Sequence, residues 1–294
     1  MKPKAIIVAG PTAVGKTNIA EHISKKYELP IISADSRQIY KELGVAVAKP
    51  SSKSLKSYEY VEINSVSIFE EQDVTHYCER VQSYLDHKKY PNIIVCGGTG
   101  FYLKSLMHGY ENLPKRNPDL RNMLQKEFET NGIEPLQKIY SSLKNPQKVK
   151  DLSNPQRLIR AIEIGEKRVE NTRTMAPLAD YDIEVIALNL PREELYKRIN
   201  ARVEEMASQG ILKEAKELFQ YKELNALQTV GYSELFKHFE GKQSEEQALE
   251  EIKKNTRRYA KRQITFFKNQ FPDAKWFTPK EFKKIDTFVQ NTLK

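Results

Sequence analysis

The sequence predicts an α/β fold, a parallel sheet flanked by helices and interrupted by an all-helical insertion. Three observations carry that reading. Short apolar runs alternate with helically spaced segments through the first third of the 294 residues. The first run leads straight into a glycine-rich loop and a helix. Strand signals then vanish from about residue 114 to 181 and return with the apolar run 182–190.

In order, the elements read as strand 5–9, helix 16–27, strand 31–34, helix 74–87, strand 92–96 and helix 100–106. Strands this apolar need cover on both faces, as in parallel sheets. Residues 61–66 are a possible extra strand. Segments 119–130, 135–143 and 155–168 carry helical spacing, with Asn131-Gly132 and Asn145-Pro146 as stops. Residues 191–221 resume helix after the returning strand. The expected organisation is therefore a core from 1–113 and 182–294, ending in basic helices, with 114–181 as the insertion.

Between the first strand and helix stands Gly10-Pro11-Thr12-Ala13-Val14-Gly15-Lys16-Thr17, a P-loop in its proper context. Its backbone N–H groups and the helix N-terminus face an anion, Lys16 adds charge, and the Thr17 hydroxyl can bind Mg²⁺. The fold is thus P-loop NTPase-like, and the loop takes a diphosphate or triphosphate. Asp35 ends the second strand, where ligand crevices form in open sheets. It can bind Mg²⁺, accept a proton from a nucleophile, or cap the following helix. Ser36 and Gln38 beside it can bond a substrate. The third strand ends in Gly97-Gly98-Thr99-Gly100, without the acidic residue that ordinary P-loop kinases often carry there. That leaves either a close backbone approach to ligand, with Thr99 projecting, or a tight capped turn. Arg198 and Arg202 stand one helical turn apart. They suit the oxygens of a departing diphosphate, or else pair with Glu194 and Glu205.

Composition narrows the classes. Hydrophobic residues make up 39% and charged residues 30%, with no membrane-length apolar run and no leader pattern, so a cytoplasmic, membrane-free protein is expected. Cys78 and Cys96 form no metal or disulfide pattern and read as partly buried thiols. The net charge is +9, and residues 252–272 hold Lys253, Lys254, Arg257, Arg258, Lys261, Arg262 and Lys268 without one acid. Ile252, Tyr259, Ala260, Ile264, Phe267 and Phe271 give that helix a buried stripe beneath a basic face lacking acidic partners. Such a face suits nucleic-acid phosphates.

These segments, together with Ala48-Lys49-Pro50, Tyr102, the run from Asn154 through Gln156, Arg157 and Arg160 to Ala161, Met206, Gly210, Val230-Gly231-Tyr232 and Ala260-Lys261-Arg262-Gln263, resemble the tRNA dimethylallyltransferases of bacterial type. The resemblance runs nearly the whole length. It implies transfer of a dimethylallyl group from dimethylallyl diphosphate to N6 of the adenosine 3′ of a tRNA anticodon, with Mg²⁺ and release of diphosphate. A monomer is expected. The resemblance further implies Asp35 as general base, Thr99 positioning adenine, and catalysis assisted by Arg202. Gly10 to Thr17 with Arg198 would hold diphosphate, and Thr17 the metal. Asp35, Ser36, Arg37, Gln38, Thr99, Arg121, Gln156, Arg157, Arg160, Arg258, Lys261, Arg262 and Gln263 would meet tRNA, the insertion clamping its stem. The target base must be flipped to reach a buried cradle. The chain departs from the family pattern at Ala46-Val47, at Tyr58-Glu59-Tyr60 and at Phe266-Phe267, in place of a customary Gly-Thr, a histidine pair and a Trp. Competing readings are a P-loop small-molecule kinase using ATP, an RNA-binding nucleotide switch, and an adenylate isopentenyltransferase, against which the helical lobe and long basic helix argue.

Overall fold

The computed structural model describes residues 2–88, 90–111, 113–114, 117–144, 146, 148–149, 151–166, 174 and 176–294. Residues 167 and 168 of the expected helix 155–168, and Asn145 of the expected stop, lie outside them.

The described elements run β1 (Lys4–Ala9), α1 (Lys16–Tyr27), β2 (Ile31–Ser33), α2 (Ser52–Ser57), β3 (Tyr60–Val61), α3 (Val74–Lys88), β4 (Asn92–Gly97) and α4 (Gly100–His108). Then come α5 (Pro118–Asn131), α6 (Glu134–Ser142), α7 (Pro155–Glu166), β5 (Asp182–Leu188), α8 (Arg192–Ser208), α9 (Ile211–Leu218), α10 (Tyr232–Phe239), α11 (Glu245–Gln270), β6 (Lys275–Phe277) and α12 (Phe282–Leu293). One parallel sheet has the order β3-β2-β4-β1-β5-β6. The register sets Ala9 beside Gly97 on one side and Ala187 on the other. Three strand ends therefore open at one level, with the P-loop at their centre.

Burial explains the sheet. Ala5, Ile6, Ile7, Val8 and Ala9 are all fully buried, and each large side chain among them contributes roughly 1.5–3 kcal/mol of transfer energy. Ile19 and Ile23 of α1, Leu195 and Ile199 of α8, and Ile285 and Val289 of α12 pack in the same core. A second core joins Leu43 and Val66 to Ile211, Tyr232 and Ile252.

Two compact units result. One holds Met1–Gly109 with Met175–Lys294, and the other holds Tyr110–Thr174. Both divisions come earlier in the chain than the expected 114–181; the second does so because Leu178 is fully buried and its N–H donates to the Leu106 carbonyl at 3.0 Å, within the first unit. The second unit has its own core of Leu124, Leu136, Leu158, Ile159 and Ile162.

Other boundaries shift for local reasons. The expected strand 61–66 shrinks to Tyr60–Val61, since Glu62 and Asn64 take left-handed backbone. The expected helix 191–221 breaks at Gly210, whose φ is 93°. Helix α11 starts at a capping box in which Ser244 and Gln247 exchange hydrogen bonds. Its expected apolar stripe holds at Ile252, Ala260, Phe267 and Phe271 but not at Tyr259, which is 37% exposed. The expected lack of acidic partners also fails at its start: Lys253 pairs with Glu250 and Glu204, and Lys254 with Glu251. Arg258, Lys261, Arg262 and Lys268 remain exposed. Among the described residues no helix is long and apolar enough to cross a membrane.

Candidate active site

The P-loop closes on Gly15, which enters α1 at φ 106°, a left-handed conformation that glycine adopts without strain. Its neighbour Lys16 donates to the Pro11 carbonyl at 2.8 Å. Burial pushes the Lys16 ammonium down to about 8; Cys96 and Asp35 pull it back up, and Arg202 opposes them. The same burial lifts the Cys96 thiol to about 12. Arg202 is lowered by burial and partly restored by Asp35. Lys16, Asp35 and Arg202 thus share one field at the strand ends.

Asp35 follows β2 and does two things at once. Its Oδ1 accepts from the Arg37 N–H at 3.0 Å and the Gln38 N–H at 3.4 Å, capping the turn. Its carboxylate also lines two adjoining cavities. Thr99 is brought alongside by the sheet: its N–H donates to Ala34 at 3.1 Å, and its Oγ1 accepts from the Ser36 N–H at 3.0 Å. A Cβ on Gly97 would stand 2.1 Å from the Ala34 carbonyl oxygen, so only glycine lets these strand ends meet.

The larger cavity, about 1020 Å³, spreads over the P-loop and includes Lys16, Thr17, Asp35, Arg198, Arg202 and Tyr259. The smaller, about 240 Å³, is more apolar. Val47, Ile199, Val203, Met206, Val230 and Ile252 line it. Thr12, Asp35, Arg202 and Tyr259 border both cavities. A charged chamber over the P-loop therefore meets a more apolar one at a carboxylate and a guanidinium.

The remaining expected residues divide. Arg198 takes the ion-pair alternative, with Glu194 at 3.1 Å, while it also donates to the Val14 carbonyl of the loop at 3.2 Å and lines the larger cavity. Arg202 makes no ion pair with Glu205 and instead reaches the Ala48 carbonyl at 3.4 Å. Arg37 spends its guanidinium on the carbonyls of Asn225, Ala226 and Gln228, and Gln38 its amide on those of Val47 and Ala48. Both therefore brace walls. Gln263, expected to meet RNA, is 6% exposed and bonded to backbone at both ends of its amide.

In the second unit Arg121 grips Glu163 at 3.2 and 2.6 Å, and Arg160 joins them at 3.4 Å while donating to the Pro114 carbonyl. Burial disfavours the charged Glu163, yet the Arg121 and Asn117 hydrogen bonds outweigh it and hold its carboxyl below the usual range. Arg157 and Gln156 are exposed.

Tyr259, expected in the buried stripe of α11, and Met206 both line the cavities, a role the sequence did not reveal. Tyr259 lies one helical turn before Gln263, which was signal enough to place both on one face. Burial, then Asp35, pushes its phenol up to about 12. No cluster of three metal-ligating acids, histidines or cysteines occurs among the described residues. The Thr17 hydroxyl, on the wall of the larger cavity, is an oxygen donor of the kind that Mg²⁺ takes.

A family model described as IPP transferase matches residues 38–270. The tRNA dimethylallyltransferase of Cytophaga hutchinsonii is 39% identical, over 98% of this chain and 97% of that protein. That of Christiangramia forsetii is also 39% identical, over 98% of each. Among solved structures, the tRNA isopentenylpyrophosphate transferase of Bacillus halodurans aligns with a TM-score of 0.73 at 29% identity, covering 99% of this chain and 97% of that one. A eukaryotic dimethylallyltransferase solved acting on tRNA shares the fold, with a TM-score of 0.69 at 23% identity over 91% of this chain and 70% of that one.

Proposed function

Because the chain belongs to the IPP transferase family, we propose that it moves a dimethylallyl group from dimethylallyl diphosphate to N6 of the adenosine 3′-adjacent to the tRNA anticodon. The observation that carries this reading is the meeting of Lys16, Asp35 and Arg202 on one cavity above the P-loop, with an apolar chamber opening beside them.

In the proposed step, N6 attacks the allylic carbon of the donor. The carbon–oxygen bond breaks and its electron pair leaves with diphosphate. The loop from Gly10 to Thr17, Lys16 and Arg198 hold that diphosphate, and Arg202 offsets the charge developing on its oxygens. Asp35 takes the proton that N6 must shed. Its Oδ1 is anchored by two N–H groups, so the carboxylate is held in place before the base arrives. Thr99, fixed by Ser36, positions adenine. Mg²⁺, held at Thr17 when bound, would neutralise part of the diphosphate charge.

The exposed Arg258, Lys261 and Arg262 of α11, and Gln156 and Arg157 of the second unit, are the proposed RNA contacts. The proposed working unit is a monomer. A tRNA substrate supports a cytoplasmic location.

The phosphoryl-transfer reading predicts ATP turnover without RNA. The test is diphosphate release from dimethylallyl diphosphate with Mg²⁺, with and without tRNA. Release that requires tRNA supports prenyl transfer, and consumption of ATP alone refutes it.

A further inference from the structure

Gln263 belongs to the RNA-facing helix, yet its side chain points inward and both ends of its amide are spent on strand-tip loops. Its Nε2 donates to the Gly98 carbonyl at 2.8 Å, and its Oε1 accepts from the Thr12 N–H at 2.9 Å. One bond holds the glycine turn that carries Thr99, and the other holds the P-loop. The contact is tight: a Cβ on Gly98 would stand 2.4 Å from Gln263 Nε2 and 3.5 Å from both Lys16 Nζ and the Gly10 carbonyl oxygen. One turn further along α11, the Phe266 ring occupies the space of a Gly100 Cβ, at 2.3 Å. Thr99 therefore sits between two glycines that α11 pins. Meanwhile Arg258, Lys261 and Arg262 of the same helix face outward.

We propose that Gln263 is a positioning residue for the transfer reaction, setting the spacing between the diphosphate cradle and the Thr99 and Asp35 side of the site. It borders the larger cavity, but both ends of its amide are committed to backbone, so its proposed role is not substrate contact. It acts through Thr12 and Gly98, and it ties both to the helix on which RNA lands. Each substrate has its own contacts, the donor in the loop and the RNA on α11 and the second unit. Loss of the amide therefore leaves each binding step intact. What it loosens is the distance between allylic carbon and N6, which matters only in the transition state, so the loss belongs in kcat. The inference rests on the prenyl-transfer reading.

The test uses the full chain with Gln263→Met, which keeps the length and bulk of the side chain and removes both hydrogen bonds. A second variant, Gln263→Glu, retains the acceptor for Thr12 and removes the donor to Gly98. Single-turnover rates at saturating tRNA and dimethylallyl diphosphate, normalised to folded protein by active-site titration, are compared with the equilibrium affinity for each substrate. We expect the Gln263→Met rate to fall about 100-fold, with both affinities within about threefold of the parent. Gln263→Glu should also lose rate with tRNA affinity kept. A rise in either dissociation constant at unchanged rate would make Gln263 a substrate contact and overturn the proposal. So would a lowered melting temperature at full rate per folded molecule, which would make it merely structural. If Gln263→Met does not fold, Gln263→Glu decides alone. A parent protein that makes no prenylated RNA sinks the reading beneath, whereas an active parent with an equally fast Gln263→Met sinks only this inference.

Discussion

Replacing Asp35 with Asn separates the two jobs that this side chain performs. The Asn amide oxygen can still accept from the Arg37 and Gln38 N–H groups, bonds of 3.0 and 3.4 Å in the parent, so the turn and its walls stay in place. Stability should change by under about 1 kcal/mol, the range of a substitution that leaves burial and capping intact. The amide nitrogen, however, cannot accept the proton from N6. General-base catalysis is worth about 10²–10⁴ in rate, or roughly 3–5 kcal/mol of barrier, and that is the expected fall in single-turnover prenylation. Diphosphate affinity should not weaken, because the substitution removes a negative charge from a cavity that holds Lys16 and Arg202. The assay is rapid-quench turnover at saturating tRNA, with pyrophosphate binding measured by calorimetry on the same preparation. A rate within about threefold of the parent would refute the argument, since a group that leaves the rate unmoved is not the base.

Lys16 has its ammonium lowered to about 8, and an adjacent anion raises it, so binding favours the protonated form. The affinity for dimethylallyl diphosphate should therefore be flat below pH 8 and fall as pH rises, about tenfold by pH 9. Calorimetry at three pH values checks this, and a constant affinity contradicts it. Arg258→Ala with Lys261→Ala should flatten the salt dependence of tRNA binding by about 1.4–1.8 in log–log slope; filter binding from low to high salt would read it. Arg121→Ala leaves Glu163, whose side chain is 1% exposed, with only Arg160 and the Asn117 N–H. It should destabilise the second unit by roughly 3 kcal/mol, seen as faster hydrogen exchange in α5 and α7. Unchanged exchange with weaker tRNA binding would instead return Arg121 to the RNA surface.

What could be read from the sequence was local. The P-loop, its strand and its helix form one contiguous signal, as do Asp35 and the glycine turn at the ends of apolar runs. Contacts between distant segments were not legible. Nothing in the Arg121 or Arg160 neighbourhood announces that Glu163 claims both guanidiniums, and basic residues in a helical lobe read equally as RNA contacts. Gln263 within Lys261-Arg262-Gln263 looks like surface, yet it faces Thr12 and Gly98 because α11 lies across both strand tips. Strand β6 is three residues long, too short for a periodic signal, and exists through its pairing with β5. Tyr259 fitted the apolar stripe by spacing, but an aromatic with a polar tip can serve a cavity wall as well as a core.

Prenyl transfer is tested most directly by nucleoside mass analysis of tRNA treated with the protein, Mg²⁺ and isotopically labelled dimethylallyl diphosphate. The expected product carries one labelled five-carbon unit per tRNA, on N6 of the adenosine following the anticodon, with one diphosphate released for each. Unlabelled tRNA, or label on any other position, would contradict it.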